Sequence, residues 1–175
     1  MLVPAPIRTS RLDLVPLRPE HAEEMAAVLA DPALYAFTGG GPRALAALRA
    51  RYERLTAGSP DPAVSWCNWV LRTRTGDGRL SGTVQATVVA GVAEVAWVVG
   101  AAWQGRGYAT EAARGLVAWL GGRGVVGVLA HIHPEHHVSA AVAAAVGLAP
   151  TDRWEGGEIR WEGAAVTTTP ASPAP

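Results

Sequence analysis

Apolar residues recur along this chain with two periods, one of two residues and one near 3.6, and their succession predicts the order of elements. From Arg11 to Leu17 they alternate as a short strand, with Leu12 and Leu14 on one face and Pro16 placing its end near a sheet edge. Pro19 suits a first helical turn, Met25, Val28 and Leu29 supply the apolar stripe, and Asp31-Pro32 ends that helix. Past the loop Gly39-Gly40-Gly41-Pro42, a second helix is expected through Leu45, Leu48, Tyr52 and Leu55 to Gly58. Trp66 to Arg72 and Arg79 to Val89 read as two strands joined by the tight turn Gly76-Asp77-Gly78, with Val84, Ala86 and Val88 facing one way. Ala90-Gly91 turns the chain into residues 92–99, almost continuously apolar and expected to be buried on both faces.

From Ala109 the apolar positions 109, 112, 113, 116, 117 and 120 define one face of a helix, with Glu111 in its first turn. Val125 to His133 is the next strand, parallel to 92–99 because a helical crossover joins them. Glu135 to Val146 predicts a last helix with Val138, Ala141, Val142, Ala145 and Val146 as its face and Gly147 after its end. Residues 153–155 and 158–162, split by Gly156-Gly157, close as a hairpin. The order β-α-α-β-β-β-α-β-α-β-β gives an α/β (α+β) fold with a mixed, mostly antiparallel sheet of about 6–7 strands and about four helices. One domain is expected over residues 1–163, and a disordered tail over 164–175, where Thr, Ala and Pro dominate.

Composition narrows the classes of function. Fifteen basic residues, all Arg, balance fifteen acidic ones, so no net field steers the chain to nucleic acid. Cys67 is the single cysteine, which precludes an intramolecular disulfide and suits a reducing compartment. Neither a basic leader at the first residues nor an apolar run of the roughly 20 residues that a bilayer requires is visible, so a cytoplasmic location and no membrane partner are expected.

The densest chemistry lies where strand 92–99 passes through Gln104-Gly105-Arg106-Gly107 into the helix of Tyr108, Ala109 and Thr110. Backbone N–H groups here have no intrahelical partner, glycines let a ligand come close, and the helix end adds about half a positive charge. That is a cradle for a diphosphate, with Arg106 as a side-chain partner. A Walker loop is excluded because the chain has no Lys, and a dinucleotide fingerprint because Thr110 stands where its third small residue belongs. The spacing Gln/Arg-x-x-Gly-x-Gly/Ala, met by Gln104, Gly107 and Ala109, resembles the GNAT superfamily of N-acyltransferases, and Trp103 to Ala112 resembles its RimJ/RimL branch.

The resemblance covers roughly residues 7–163 and implies acyl transfer from acyl-coenzyme A, acetyl-CoA in the usual case, to a primary amine by direct attack in a ternary complex. Residues 104–110 would hold the pyrophosphate, main-chain groups of Val98 and Val99 the pantetheine and the oxyanion, and His136 the cofactor at the position of a family asparagine. Glu94, the only charged residue between Arg79 and Arg106, would accept the amine proton, its carboxyl raised by burial. Ser139 would donate to the leaving sulfur. Where many relatives carry a tyrosine acid, this chain has Ala143, which motivates the alternative of a coenzyme A-binding regulatory module with little turnover. A small amine or a protein N-terminus satisfies the same chemistry as acceptor, and a homodimer is allowed.

The run His131-Ile-His-Pro-Glu-His-His137 has ligand types at strand and turn spacing for a metal, but no cysteine joins it and the family uses no metal, so none is expected. His133, His136 and His137 would instead meet ribose or phosphate, or water.

Overall fold

A computed structural model of the protein describes residues 1–165. Its strands are β1 (Ile7–Arg8), β2 (Leu12–Pro16), β3 (Val64–Thr73), β4 (Leu80–Val89), β5 (Val92–Val99), β6 (Gly127–Ile132), β7 (Ala149–Glu155) and β8 (Glu158–Ala164). Its helices are α1 (Ala22–Val28), α2 (Leu45–Thr56), α3 (Tyr108–Gly121) and α4 (His137–Ala145). The strands form one sheet in the order β1-β2-β3-β4-β5-β6-β8-β7, in which only β5 and β6 run parallel. The fold is thus the expected mixed, mostly antiparallel α/β sheet, with one strand more than expected. The addition is β1, whose two residues pair with Asp13 and Leu14 and are too few to show a period.

Helices cover both faces. On one, α3 and α4 bury Ala112, Ala113, Leu116, Val117, Leu120, Val142 and Ala143 against Ala86, Ala93 and Val95 of the sheet. Trp119 of α3 meets Trp69 of β3 edge to face at 5.0 Å, a geometry that adds about 0.5–1.5 kcal/mol beyond burial. On the other face, α1 and α2 cover Val70 and Leu80 with Met25, Val28, Leu48 and Tyr52.

Three expectations are corrected. Strand β5 is not buried on both faces: Ala93 and Val95 are buried, but Val92, Glu94 and Ala96 are exposed, because α1 and α2 reach only as far as β3 and β4 and leave the other face of β5 open. In α4 the inward face is turned. Val138 is 73% exposed, whereas Val142, Ala143 and Val146 are buried. Alanine at five of its nine positions gives this helix several almost equal stripes, and the one that faces the core is centred on Ala143, which is wholly buried. Finally, Ala164 is not part of a tail: it ends β8, and the N–H of Ala165 donates to the carbonyl of Val126. The rest of the expected tail, 166–175, lies outside the described residues.

Candidate active site

Strands β5 and β6 are paired through only three residue pairs, the last being Glu94 with Leu129. Beyond it β5 continues to Val99 with β4 on one side and no strand on the other, while β6 continues to Ile132 beside β8. The two strands therefore part, and alternate N–H and C=O groups of residues 95–99 face the gap without a ladder partner. Gly82 of β4 keeps this segment in place. A Cβ at Gly82 would lie 2.2 Å from the carbonyl oxygen of Val98 and 3.0 Å from Cα of Val99, so only glycine admits the approach.

The loop that follows closes one end of the gap. Gly105 and Gly107 both have φ above +70°, a left-handed backbone that strains other residues, and Gly107 is the N-cap of α3. No side chain caps that helix, so the first N–H groups of α3 stay free, and those of Gly105, Arg106 and Gly107 have no carbonyl partner either. The sequence-predicted residues divide the work. Gln104 is an anchor: its Nε2 donates to the Val99 carbonyl at 3.0 Å and ties the loop to the end of β5. Tyr108 is largely buried and offers an anion its N–H, as does Ala109, while exposed Arg106 is tethered by its guanidinium to the Ala102 carbonyl at 3.1 Å.

A clamp that sequence reading missed holds this loop. The Glu111 carboxylate accepts from the Thr9 hydroxyl, the Arg11 N–H and the Arg11 guanidinium, each at 2.6 Å. Arg11 also donates to the Arg106 carbonyl at 2.8 Å and lies over the Tyr108 ring. Burial alone would raise the Glu111 carboxyl, but the hydrogen bonds from Thr9 and Arg11, with the Arg11 charge, outweigh it and hold the carboxyl below its ordinary value. Glu111 was legible only as an acid suited to a helix start, and nothing in a single sequence joins it to a residue 100 positions earlier.

Glu94 stands where the strands separate. Its side chain is 54% exposed, so the burial expected to raise its carboxyl is absent. Instead its Oε1 lies 2.9 Å from Nδ1 of His131, a largely buried imidazole on β6. Oε2 of Glu155 lies 3.3 Å from Nε2 of the same ring, but without hydrogen-bond direction, so Nε2 remains unpartnered. Glu94 and Val98 share a face of β5 four residues apart, about 13 Å along the strand at the usual rise.

Across the gap, His136 is the N-cap of α4, accepting at Nδ1 from the Ser139 N–H at 3.4 Å. Burial, and then His133, lowers its pKa and favours the neutral ring. With Nδ1 accepting, the proton sits on Nε2, 3.1 Å from the Ser139 hydroxyl oxygen. Ser139 thus accepts from His136 and keeps its own proton free to donate. Phe37 stacks on His136 at 4.5 Å between ring centroids and tilts over His133 at 5.2 Å, so the loop before α2 touches the start of α4. The histidines consequently diverge, His131 to Glu94 and His133 and His136 to Phe37, and among the described residues no group of three potential ligands is placed for a metal.

On the open face, a cavity of about 280 Å³ lies between the α1–α2 region and the sheet, with Val98, Gln85 and Asn68 on its floor and Arg43, Arg51 and Tyr52 on its wall.

Comparison with curated proteins finds no match. Solved structures share the architecture: a GNAT-family acetyltransferase from Bacillus anthracis at 16% identity, covering 92% of this chain and 99% of that one with a TM-score of 0.76. The RimL ribosomal L7/L12 alpha-N-protein acetyltransferase in complex with coenzyme A is similar at 12% identity, with 91% and 98% coverage and a TM-score of 0.76. The microcin C7 self-immunity acetyltransferase MccE, in complex with acetyl-CoA and AMP, follows at 16% identity, with 89% and 93% coverage and a TM-score of 0.68. At such identities the likeness is one of fold. The sequence itself matches the family described as Acetyltransferase (GNAT) domain over residues 11–149. With most of its length inside that match, and with parted strands beside an uncapped, glycine-shaped helix start, the chain belongs to the GNAT acetyltransferase-domain family.

Proposed function

We propose that the protein transfers an acetyl group from acetyl-coenzyme A to a primary amine, in the cytoplasm, by direct attack in a ternary complex. The observation that carries this reading is the parting of β5 and β6 after Glu94, with six consecutive N–H groups, those of residues 105–110, unpaired at its mouth. A diphosphate suits those donors, and an extended amide-containing arm suits the unpaired edge of residues 95–99. RimL and MccE bind coenzyme A or acetyl-CoA in their structures, which supports the same cofactor here.

In this mechanism the neutral amine attacks the thioester carbonyl beside Val98. A C–N bond forms, and the oxyanion takes a hydrogen bond from a main-chain N–H at Val98 or Val99. The C–S bond then breaks, with the Ser139 hydroxyl donating to the departing sulfur. The amine proton passes through water to Glu94, whose hydrogen bond to His131 makes the two a unit for accepting it. A thiol of pKa about 8.5 leaves tolerably as a thiolate near neutral pH, so the missing tyrosine at Ala143 does not forbid turnover. One observation favours the alternative, a regulatory module that binds coenzyme A without efficient transfer: Ala143 is fully buried and offers no acid at all.

Two measurements test the proposal. Acetyl-CoA at about 100 times its dissociation constant should stabilise the protein by about 2.7 kcal/mol in a thermal melt. Gly107→Val should erase that shift, since a side chain fits neither the backbone angle nor the phosphate approach. Release of free thiol from acetyl-CoA across a panel of primary amines then separates the enzyme from the module. An unmoved melting temperature would sink the cofactor reading, and a shift without thiol release from any amine would leave the module.

A further inference from the structure

The cavity over Val98 has a chemical character of its own. No Asp or Glu lines it, yet two arginines do, Arg43 from the loop before α2 and Arg51 from α2 itself. Arg49, on the same helix, pairs with Glu23 at 3.6 Å, whereas neither Arg43 nor Arg51 has a carboxylate within 4.0 Å among the described residues. Arg51 is partly buried, and its burial, followed by the charges of Arg43 and Arg54, lowers its hold on the proton. Beside it the Tyr52 side chain is 3% exposed and its hydroxyl has no hydrogen-bond partner. A buried, unpaired hydroxyl and partly desolvated like charges are both costly unless something arrives to pair with them.

We propose that the acceptor is a small amine carrying an anionic group, a carboxylate or a phosphate, which Arg43, Arg51 and Tyr52 hold while the amine lies against Val98. The inference rests on the transferase reading and narrows its substrate class. An anion accepts from every unpaired donor on that wall at once, and guanidinium forks suit both oxyacids. Asn68 and Gln85, paired across β3 and β4 on the cavity floor, are free to fix the middle of the molecule. About 280 Å³ suits a compact molecule of amino-acid size, at the low end of ligand pockets. The same two positive charges disfavour the ammonium form of the bound amine, which helps it arrive as the nucleophile. They also repel polyamines and other polycations.

The test is thiol release at saturating acetyl-CoA from matched pairs: free amino acids, 4-aminobutyrate and O-phosphoethanolamine, each beside its decarboxylated or dephosphorylated counterpart, with spermidine and a neutral peptide N-terminus. The anionic member of at least one pair should have kcat/KM tenfold or more above its counterpart, and which pair does so distinguishes carboxylate from phosphate. Arg51→Gln and the more exposed Arg43→Gln should each reduce that ratio by tenfold or more through KM, and Arg51→Lys should restore part of it. A faster neutral or cationic partner, spermidine or the peptide as the best substrate, or silence of every anionic amine in a protein that acetyl-CoA stabilises, overturns the proposal. So does a rise in the KM of acetyl-CoA with the ratio intact, which would give the arginines to the cofactor. Failure of acetyl-CoA to stabilise the wild type would instead remove the transferase reading beneath it.

Discussion

Glu111→Gln tests whether the start of α3 is held as the geometry indicates. The substitution keeps the size of the side chain but replaces one carboxylate oxygen with an NH2 group, which then faces a donor. Three hydrogen bonds of 2.6 Å are affected, two of them from Arg11. A hydrogen bond to a charged group contributes about 1.5–3 kcal/mol when well shielded, but the Arg11 side chain is 44% exposed, so its ionic part falls to the surface range of about 0–1 kcal/mol. Allowing for non-additivity, a loss of about 2–4 kcal/mol is expected near pH 7, which for a chain of this length lowers the melting temperature by roughly 4–15 °C. The pH dependence has a definite sign. The folded carboxyl titrates below its ordinary value of 4.5, so its contribution is complete above that value and is lost as pH falls through the lower folded one. Melting curves of the wild type and Glu111→Gln should therefore be widely separated at pH 7 and converge as the pH drops below about 4.5. A gap under 2 °C at pH 7, or one that persists unchanged into acid, would refute the clamp.

Three further outcomes follow from the site. Glu94→Gln and His131→Gln should each cut turnover by about 10²- to 10⁴-fold while the acetyl-CoA-dependent melting shift persists, and the double variant should lose no more than the worse single one; multiplicative losses in kcat would separate the two residues. Gly82→Ala drives a methyl into the Val98 carbonyl, so it should destabilise by about 1–3 kcal/mol and lower kcat/KM for acetyl-CoA, and an unaltered melt with unaltered kinetics would show that the strand yields freely. His136→Ala removes the cap of α4 and should cost about 1 kcal/mol at pH 8. Because the folded His136 titrates below 6.5, the cap is complete above that pH and is lost as pH falls through the lower folded value, so the difference between the two proteins should shrink as the pH drops below 6.5; a constant difference would contradict the neutral, accepting ring.

Much of the fold was legible because its elements have clean periods. The strand at 92–99 and the helix beginning at the glycine loop were placed within a residue, since a β-branched run meeting Gly100 and a 3.6-residue stripe leave little choice. What eluded pattern was facing. Periodicity reports that a stripe exists, and in α4, where alanine occupies most positions, neighbouring stripes are equivalent until the core selects Ala143. In β5 the apolar run suggested burial on both faces, but Ala96 and Val92 are exposed because burial depends on how far the neighbouring helices extend, a length that no local window contains.

The site divides along the same line. Features of the backbone itself were legible: Gly105 and Gly107 stand at left-handed positions at the start of α3, as a glycine-shaped loop requires, whereas Val98 and Val99 were named through the resemblance and lie on the stretch of β5 without a partner on its open side. Side chains that act through a partner were not legible. Glu94 was singled out for its charge in an apolar strand and was expected to be buried, but it is exposed and its partner is a second side chain on the adjacent parallel strand. His131 was set among neighbouring histidines as a ligand type, although its two ring nitrogens face carboxylate oxygens of Glu94 at 2.9 Å and Glu155 at 3.3 Å. The same holds for Ser139, whose hydroxyl has meaning only with His136 beneath it. With Nδ1 of His136 committed to the Ser139 N–H, its Nε2 proton has one acceptor in reach, the Ser139 oxygen, and the serine proton must then point elsewhere. In a chain that has alanine where relatives place a tyrosine acid, this orientation supplies a donor without a second titrating group. In the mechanism we propose, the serine would give only a hydrogen bond to sulfur, which is enough for a leaving thiolate of ordinary pKa and would not be enough for a poorer leaving group.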